Sequence, residues 1–159
     1  MASVTVISVG SLKEGYLKEA VAEYKKRLSQ YARVEEIELK EERISNEDNR
    51  AEIETALNRE ADKIITAIPK DALKIALCVE GKQYSSEELA HLIERGNDAS
   101  GKIALVIGSS YGLSERVKKE CDVRLSFSKL TFPHQLMKVI LFESLYRSYT
   151  IIHGKRYHK

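Results

Sequence analysis

Several things are scarce in this chain of 159 residues, and each scarcity excludes a class of protein. Its apolar runs break off well short of the roughly 18–20 residues a membrane-spanning helix requires, so no span is expected. The opening Met1-Ala2-Ser3-Val4-Thr5-Val6-Ile7 has no basic leading stretch and turns at Gly10, which makes it a strand and not a secretory leader. There are two cysteines, Cys78 and Cys121, with no histidine at metal-ligand spacing from either. They read as buried free thiols of a reducing, cytoplasmic environment, and no metal is expected. No low-complexity tract, internal repeat or linker interrupts the chain. The nucleophile elbow, the phosphate-cradling lysine loop and the three-glycine dinucleotide fingerprint are all missing. Net charge is small as well, at +2, which taken alone argues weakly against a nucleic-acid partner.

The distribution of charge says more than its total. Residues 35–62 carry eleven acids against four bases, a net of −7, which leaves +9 on the remainder of a chain whose sum is +2. No acid follows Glu143, whereas Arg147, Lys155, Arg156 and Lys159 do. A basic remainder and tail can meet phosphate. With 43% hydrophobic and 31% charged residues, the chain is sized for one domain, residues 1–159, with a real core.

Periodicity predicts five strands alternating with five helices. Val4–Val9 is a short apolar strand. Leu17, Val21, Tyr24, Leu28 and Tyr31 then recur at three- and four-residue steps, one stripe of an amphipathic helix. Arg33–Leu39 alternates as a strand. Ser45-Asn46-Glu47-Asp48 resembles a capping box, ahead of a helical stripe of Ile53, Leu57, Ala61, Ile64 and Ile65. Leu73–Val79 reads as a strand buried on both faces and broken by Glu80-Gly81-Lys82. Ser85-x-x-Glu88 opens a helix carrying Leu89, Leu92 and Ile93. Lys102–Ile107 is a second buried strand, Ser114–Glu120 a short helix and Val123–Phe127 a strand. A long helix runs from Pro133 to about Ile152. This order implies an α/β fold on a mostly parallel sheet, with ligand loops at the carboxyl ends of its strands: 80–84, 108–113 and 127–133. Between Leu136 and Ile152 only Lys138, Glu143 and Arg147 are charged, so the last helix is expected to be covered on more than one side, by a second copy of the chain.

Two loops carry the chemistry. Gly108-Ser109-Ser110-Tyr111-Gly112 follows a strand, and its glycines allow backbone to approach a ligand. In Leu125-Ser126-Phe127-Ser128-Lys129-Leu130-Thr131-Phe132-Pro133-His134, hydroxyls and a lysine interleave with apolar side chains, a mixture suited to a flat ring with polar edges. The ending, His153-Gly154-Lys155-Arg156-Tyr157-His158-Lys159, is basic and aromatic, and Tyr157 and Arg156 are suited to stacking on or clamping a nucleotide.

Taken together these motifs resemble the RlmH-type (YbeA-like) ribosomal RNA large-subunit methyltransferases, a minimal SPOUT group, over essentially the whole chain. The resemblance rests on Val6-Ile7-Ser8-Val9-Gly10-Ser11-Leu12-Lys13, on Glu80-Gly81-Lys82 with Ser85-Ser86-Glu87, and on Ile107-Gly108-x-x-x-Gly112-Leu113. The run 125–134, Glu143-x-x-Tyr146-Arg147 and Tyr157-His158 carry it furthest. It implies a SPOUT-type parallel sheet flanked by helices, with a deep trefoil knot in the C-terminal half, roughly residues 73–159. It implies S-adenosylmethionine held by Leu77, Gly108, Phe127, Ser128, Lys129, Leu130, Thr131 and Phe132, and a homodimer that buries the last helix. The implied reaction is N3-methylation of a pseudouridine (position 1915, helix 69) of 23S rRNA in the assembled 70S ribosome. His134, Tyr157 and His158 are then candidates for removing the N3 proton, and Arg147, Arg156 and Lys159 for holding the substrate. Two positions depart from the family pattern: Ser109 stands where a second glycine is usual, and Lys138 where arginine is. A methyltransferase of another RNA and a non-catalytic ribosome-binding factor are the competing readings.

Overall fold

A computed structural model describes residues 1–159. The chain runs β1 (Ala2–Val9), α1 (Gly15–Leu28), β2 (Ala32–Leu39), α2 (Arg50–Ala67), β3 (Leu73–Gln83), α3 (Ser86–Ser100), β4 (Lys102–Ile107), α4 (Glu115–Glu120), β5 (Val123–Ser126) and α5 (His134–Ile152). The five strands form one sheet in the order β2-β1-β4-β3-β5, every neighbour parallel. The expected count and alternation are present, and the sheet is wholly parallel.

Parallel strands joined through helices must be apolar on both faces, and the alternation along each strand shows this. Val4 and Val6 of β1, Ile75 of β3 and Ile103, Leu105 and Ile107 of β4 turn toward one core, with α1, α3 and α5 above it. Ile7, Val9, Ala76 and Val106 turn to the other face, where Ala61 and Ile64 of α2 and Val117 of α4 cover them. The first core is the larger. Phe142, Leu145 and Tyr149 of α5 drive into it among Leu17, Val21 and Leu28 of α1 and Leu89, Leu92 and Ile93 of α3. The apolar circumference of α5 is thus largely accounted for within the chain. Lys138, on its buried side, is 3% exposed and reaches Glu36 at 2.8 Å and Glu38 at 3.2 Å on β2.

Two local expectations need correction. Ser45 does not cap α2: Asn49 does, its side chain accepting from the Glu52 amide at 3.2 Å, while the Glu52 carboxylate turns back on the Ser45 amide and hydroxyl. The later of two competing polar residues wins because it also supplies the extended backbone that an N-cap needs. Nor does Glu80-Gly81-Lys82 end β3. The strand shifts register between Leu77 and Lys82, then rejoins β5 at Leu125 and Ser126. Gly81 makes this possible, since a Cβ there would lie 2.7 Å from the backbone of Arg124. The capping box at Ser85 and Glu88 forms as expected, with both reciprocal bonds at 3.0 Å.

Two buried side chains, Ser8 on β1 and Glu60 on α2, each leave a polar atom without a partner, and Glu60 is the ionisable one. It is 3% exposed; Oε2 accepts from the Glu42 amide at 2.9 Å, and Oε1 has no partner. Burial therefore raises its pKa above the ordinary carboxylate value. A raised carboxyl binds its proton more tightly in the folded chain than in the unfolded one. Stability then falls as pH climbs through the ordinary range and stays lower above it. Glu60→Gln, which keeps an oxygen for the Glu42 amide, is expected to be more resistant to denaturant than the wild type at pH 7 and indistinguishable near pH 3. Urea unfolding at the two pH values reads the difference.

Candidate active site

At the carboxyl ends of β3, β4 and β5 lies a cleft of about 680 Å³, walled by residues 77–80, 107–113, 125–128 and 130–133 with Lys118, His134 and Met137. That is the range of small-molecule and cofactor pockets. Two of the three loops picked out by the carboxyl-end rule, 108–113 and 127–133, meet there; of 80–84 only Glu80 borders the space, because β3 runs on to Gln83.

One wall depends on a close backbone approach. After β4, Gly108 to Gly112 fold into a tight loop in which the Gly112 amide donates to the Ser109 carbonyl at 2.9 Å, with Gly112 at φ +85°. A Cβ on Gly108 would sit 2.3 Å from the Gly112 carbonyl oxygen and 3.0 Å from Leu113. Only glycine lets the loop close. The opposite wall follows β5. Ser126 Oγ donates to the Ser128 carbonyl at 3.1 Å and the Leu130 amide donates to Ser128 Oγ at 3.0 Å, so hydroxyls hold the irregular backbone of the run. Its apolar members, Phe127, Leu130 and Phe132, border the cleft together with Leu77, Ile107, Leu113 and Leu125.

Of the eight residues that resemblance assigned to the cofactor, seven border this space: Leu77, Gly108, Phe127, Ser128, Leu130, Thr131 and Phe132. Lys129 does not; it is exposed on the outer side of the run. His134 borders the cleft as the first residue of α5. Sequence reasoning missed Met137 and the Lys118–Glu80 ion pair on the rim, which keeps the Glu80 carboxyl below its ordinary range. A lysine on a short, polar helix carries no signal that would have found it.

The tail residues are elsewhere. None of Arg147, Arg156, Tyr157, His158 and Lys159 borders the cleft of its own chain. The tail instead turns back along α5 onto a polar hub. Glu143 Oε1 accepts from both Nε and a terminal nitrogen of Arg147, at 3.0 and 2.5 Å, and from the Tyr157 hydroxyl at 3.2 Å. The Arg147 guanidinium lies 4.7 Å from the Tyr157 ring centre, and Tyr146 packs edge-on to that ring at 4.7 Å. His158 bridges Arg147 at 3.2 Å through Nδ1 and Glu87 at 2.8 Å through Nε2. These partners fix its tautomer: a guanidinium only donates, so Nδ1 accepts, and a carboxylate only accepts, so Nε2 carries the hydrogen. Neither nitrogen is left to take a proton. Tyr157 is no better placed as a base, since burial, the first cause, and the Glu143 carboxylate push its phenol up to about 12. Of the three catalytic candidates, only His134 is both at the cleft and without a side-chain partner.

The comparisons with known proteins agree with this architecture. The family described as predicted SPOUT methyltransferase matches residues 2–158, and the chain belongs to that family of methyltransferases. Within it, similarity narrows to proteins named ribosomal RNA large subunit methyltransferase H. That of Caldicellulosiruptor bescii is 47% identical over 156 residues, covering 98% of this chain and 99% of its own. The Shouchella clausii protein is 46% identical over 158 residues, covering 99% of each. Among solved structures, a probable methyltransferase of Bordetella pertussis aligns at TM-score 0.59 and 16% identity, over 92% of this chain and 95% of its own. A methyltransferase of Legionella pneumophila solved with bound S-adenosylmethionine aligns at TM-score 0.52 and 14% identity, over 91% of this chain and 65% of its own. At those identities the likeness is one of fold.

Glu143 accepts from both Arg147 and Tyr157, and so joins the tail to α5. Glu143→Ala leaves Arg147 without its carboxylate and Tyr157 without an acceptor, a loss of about 1–3 kcal/mol for the docked tail. Carboxypeptidase is expected to remove residues 155–159 from this variant several times faster than from the wild type, as followed by mass spectrometry.

Proposed function

We propose that the chain, acting as one domain of residues 1–159, transfers a methyl group from S-adenosylmethionine to N3 of a pseudouridine in ribosomal RNA. The target is position 1915 in helix 69 of 23S rRNA, methylated on the assembled 70S ribosome in the cytoplasm. The observation that carries this reading is the cleft itself: a closed glycine loop faces an apolar, hydroxyl-bearing run, with an uncommitted histidine at its edge. Full-length relatives at 46–47% identity bearing the rRNA methyltransferase name support the substrate class.

The residues present fit that cofactor. Leu77, Ile107, Leu113, Leu125 and Phe132 offer an apolar slot for a purine ring, and Gly108 leaves room where a Cβ would collide. Polar backbone along 127–132 can serve the ribose and amino-acid ends. When bound, the sulfonium supplies an electrophilic methyl group, so the protein's main work is alignment of the attacking nitrogen. The N3–H bond must also break, its electron pair remaining on nitrogen for the attack. His134 is assigned that proton; the other two are set aside as bases, because the Tyr157 hydroxyl donates to Glu143 with its phenol pushed up, and His158 Nδ1 already accepts from Arg147.

Tyr157, His158, Arg147, Arg156 and Lys159 keep a substrate-side role only if they serve the cleft of a second copy. A homodimer in which each tail faces the partner's cleft meets that requirement. The apolar side chains left exposed at the cleft support it: Val79 is 59% exposed and Leu130 69%. The same family reading carries a deep trefoil knot in residues 73–159. Its support is the order β4-β3-β5 followed by a helix that returns to lie between α1 and α3.

Labelled S-adenosylmethionine incubated with ribosomes lacking the modification is expected to yield 3-methylpseudouridine from 70S particles and none from naked 23S rRNA. Label at another nucleoside would move the target, and absence of both label and cofactor binding would favour a non-catalytic ribosome-binding factor. In the same assay His134→Ala is expected to lower kcat by about 10²–10⁴-fold with cofactor affinity retained. Gly108→Val is expected to abolish cofactor binding, measured by calorimetry, while size-exclusion elution stays that of the wild type.

A further inference from the structure

Glu60 of α2 keeps a buried acceptor that nothing in the fold uses. Its Oε2 is fixed: it takes the Glu42 amide at 2.9 Å, and the Glu42 carboxylate is held in turn by Lys63 at 2.7 Å. Oε1 has no partner. A buried carboxylate oxygen without a donor lowers stability. Such orphans are rare in folded chains, and they gather where the working molecule needs them.

Helix α2 lies directly behind the loop that closes the cleft. Its Ala61 and Ile64 form one apolar cluster with Leu113, the residue that follows Gly112. Ser109, in the same loop, borders the cleft and is itself buried. Its Oγ accepts from the Tyr111 amide at 3.3 Å, which leaves its proton for a second partner. That partner is at hand. Burial raises the Glu60 pKa, and the Glu42 amide and the Ser109 hydroxyl work against the rise as donors. The hydroxyl therefore stands close to the carboxyl yet short of a hydrogen bond, since Oε1 is still unpartnered. The two glycines that let the loop close also leave it backbone freedom, and a side-chain tie from behind would remove that freedom.

We infer that Glu60 is a positioning residue for the cofactor: with S-adenosylmethionine seated against the Gly108–Gly112 loop, the Ser109 hydroxyl donates to Glu60 Oε1 and ties the loop to α2. The inference rests on the reading of the cleft as the cofactor site. It adds to that site a residue outside the cleft, one that acts on affinity through Ser109. It also gives a use to a carboxylate without which the fold would be more stable.

The test is a double-mutant cycle on S-adenosylmethionine affinity, measured by calorimetry for Glu60→Met, Ser109→Ala and the two combined. Methionine keeps much of the shape of glutamate and has no oxygen to accept with. Loss of one hydrogen bond to a charged group is expected to weaken binding about tenfold in each single variant. The double variant should bind no more weakly than either alone. Glu60→Gln should fall between the wild type and Glu60→Met, because its amide nitrogen can donate to Ser109 Oγ. In Glu60→Met the KM for the cofactor should rise with the loss of affinity while kcat at saturating cofactor holds. Should Glu60→Met fail to fold, Glu60→Gln completes the same cycle with Ser109→Ala. Wild-type affinity in the single variants overturns the inference. So do losses that add in the double variant, since they mark an effect of Glu60 that does not pass through Ser109. If the wild type itself binds no S-adenosylmethionine, the reading of the cleft falls and the inference with it; wild-type binding beside unaffected variants sinks the inference alone.

Discussion

A parallel sheet whose two faces are both apolar has to be covered on both, and the rest of this structure answers to that demand. Strands cannot be joined by tight turns when they run the same way, so each connection becomes a helix laid across one face or the other. Three helices take one face and two the other. What remains uncovered is the edge where strands end and helices begin. Polar backbone collects there because no ladder continues beyond it, and the cleft occupies that edge between the Gly108 loop and the run that follows β5.

The same demand explains what could be read from the sequence. Strand β4, Lys102–Ile107, is bounded in the structure as its apolar run predicts, since a strand buried on both faces has no pattern other than continuity. The capping box of α3 was equally legible, being a local hydrogen-bond exchange. The continuation of β3 past Glu80 was not. Glu80-Gly81-Lys82 has every mark of a break, and it stays extended only because β5, forty residues on, lies close enough to need a glycine. The loops of the cleft were found because they follow strands. The docking of the tail was not legible: composition tells of aromatic and basic character, but no spacing reports that Glu143 gathers Arg147 and Tyr157 to itself.

Charge is partitioned as sharply as the core. Acids outnumber bases in β2 and α2, and none lies in residues 24–33 or 144–159. The cleft rim holds a matched pair, Lys118 and Glu80, so it presents little net field of its own.

Lys138 ties the two ends of the chain together. Its ammonium bridges carboxylates on β2 that were made a hundred residues earlier, and an unpaired charge buried at that depth is severely destabilising. The seat of the last helix therefore depends on a charge contact with a strand at the far edge of the sheet. Because that helix begins at the wall of the cleft, the same contact helps to set where His134 and Met137 stand.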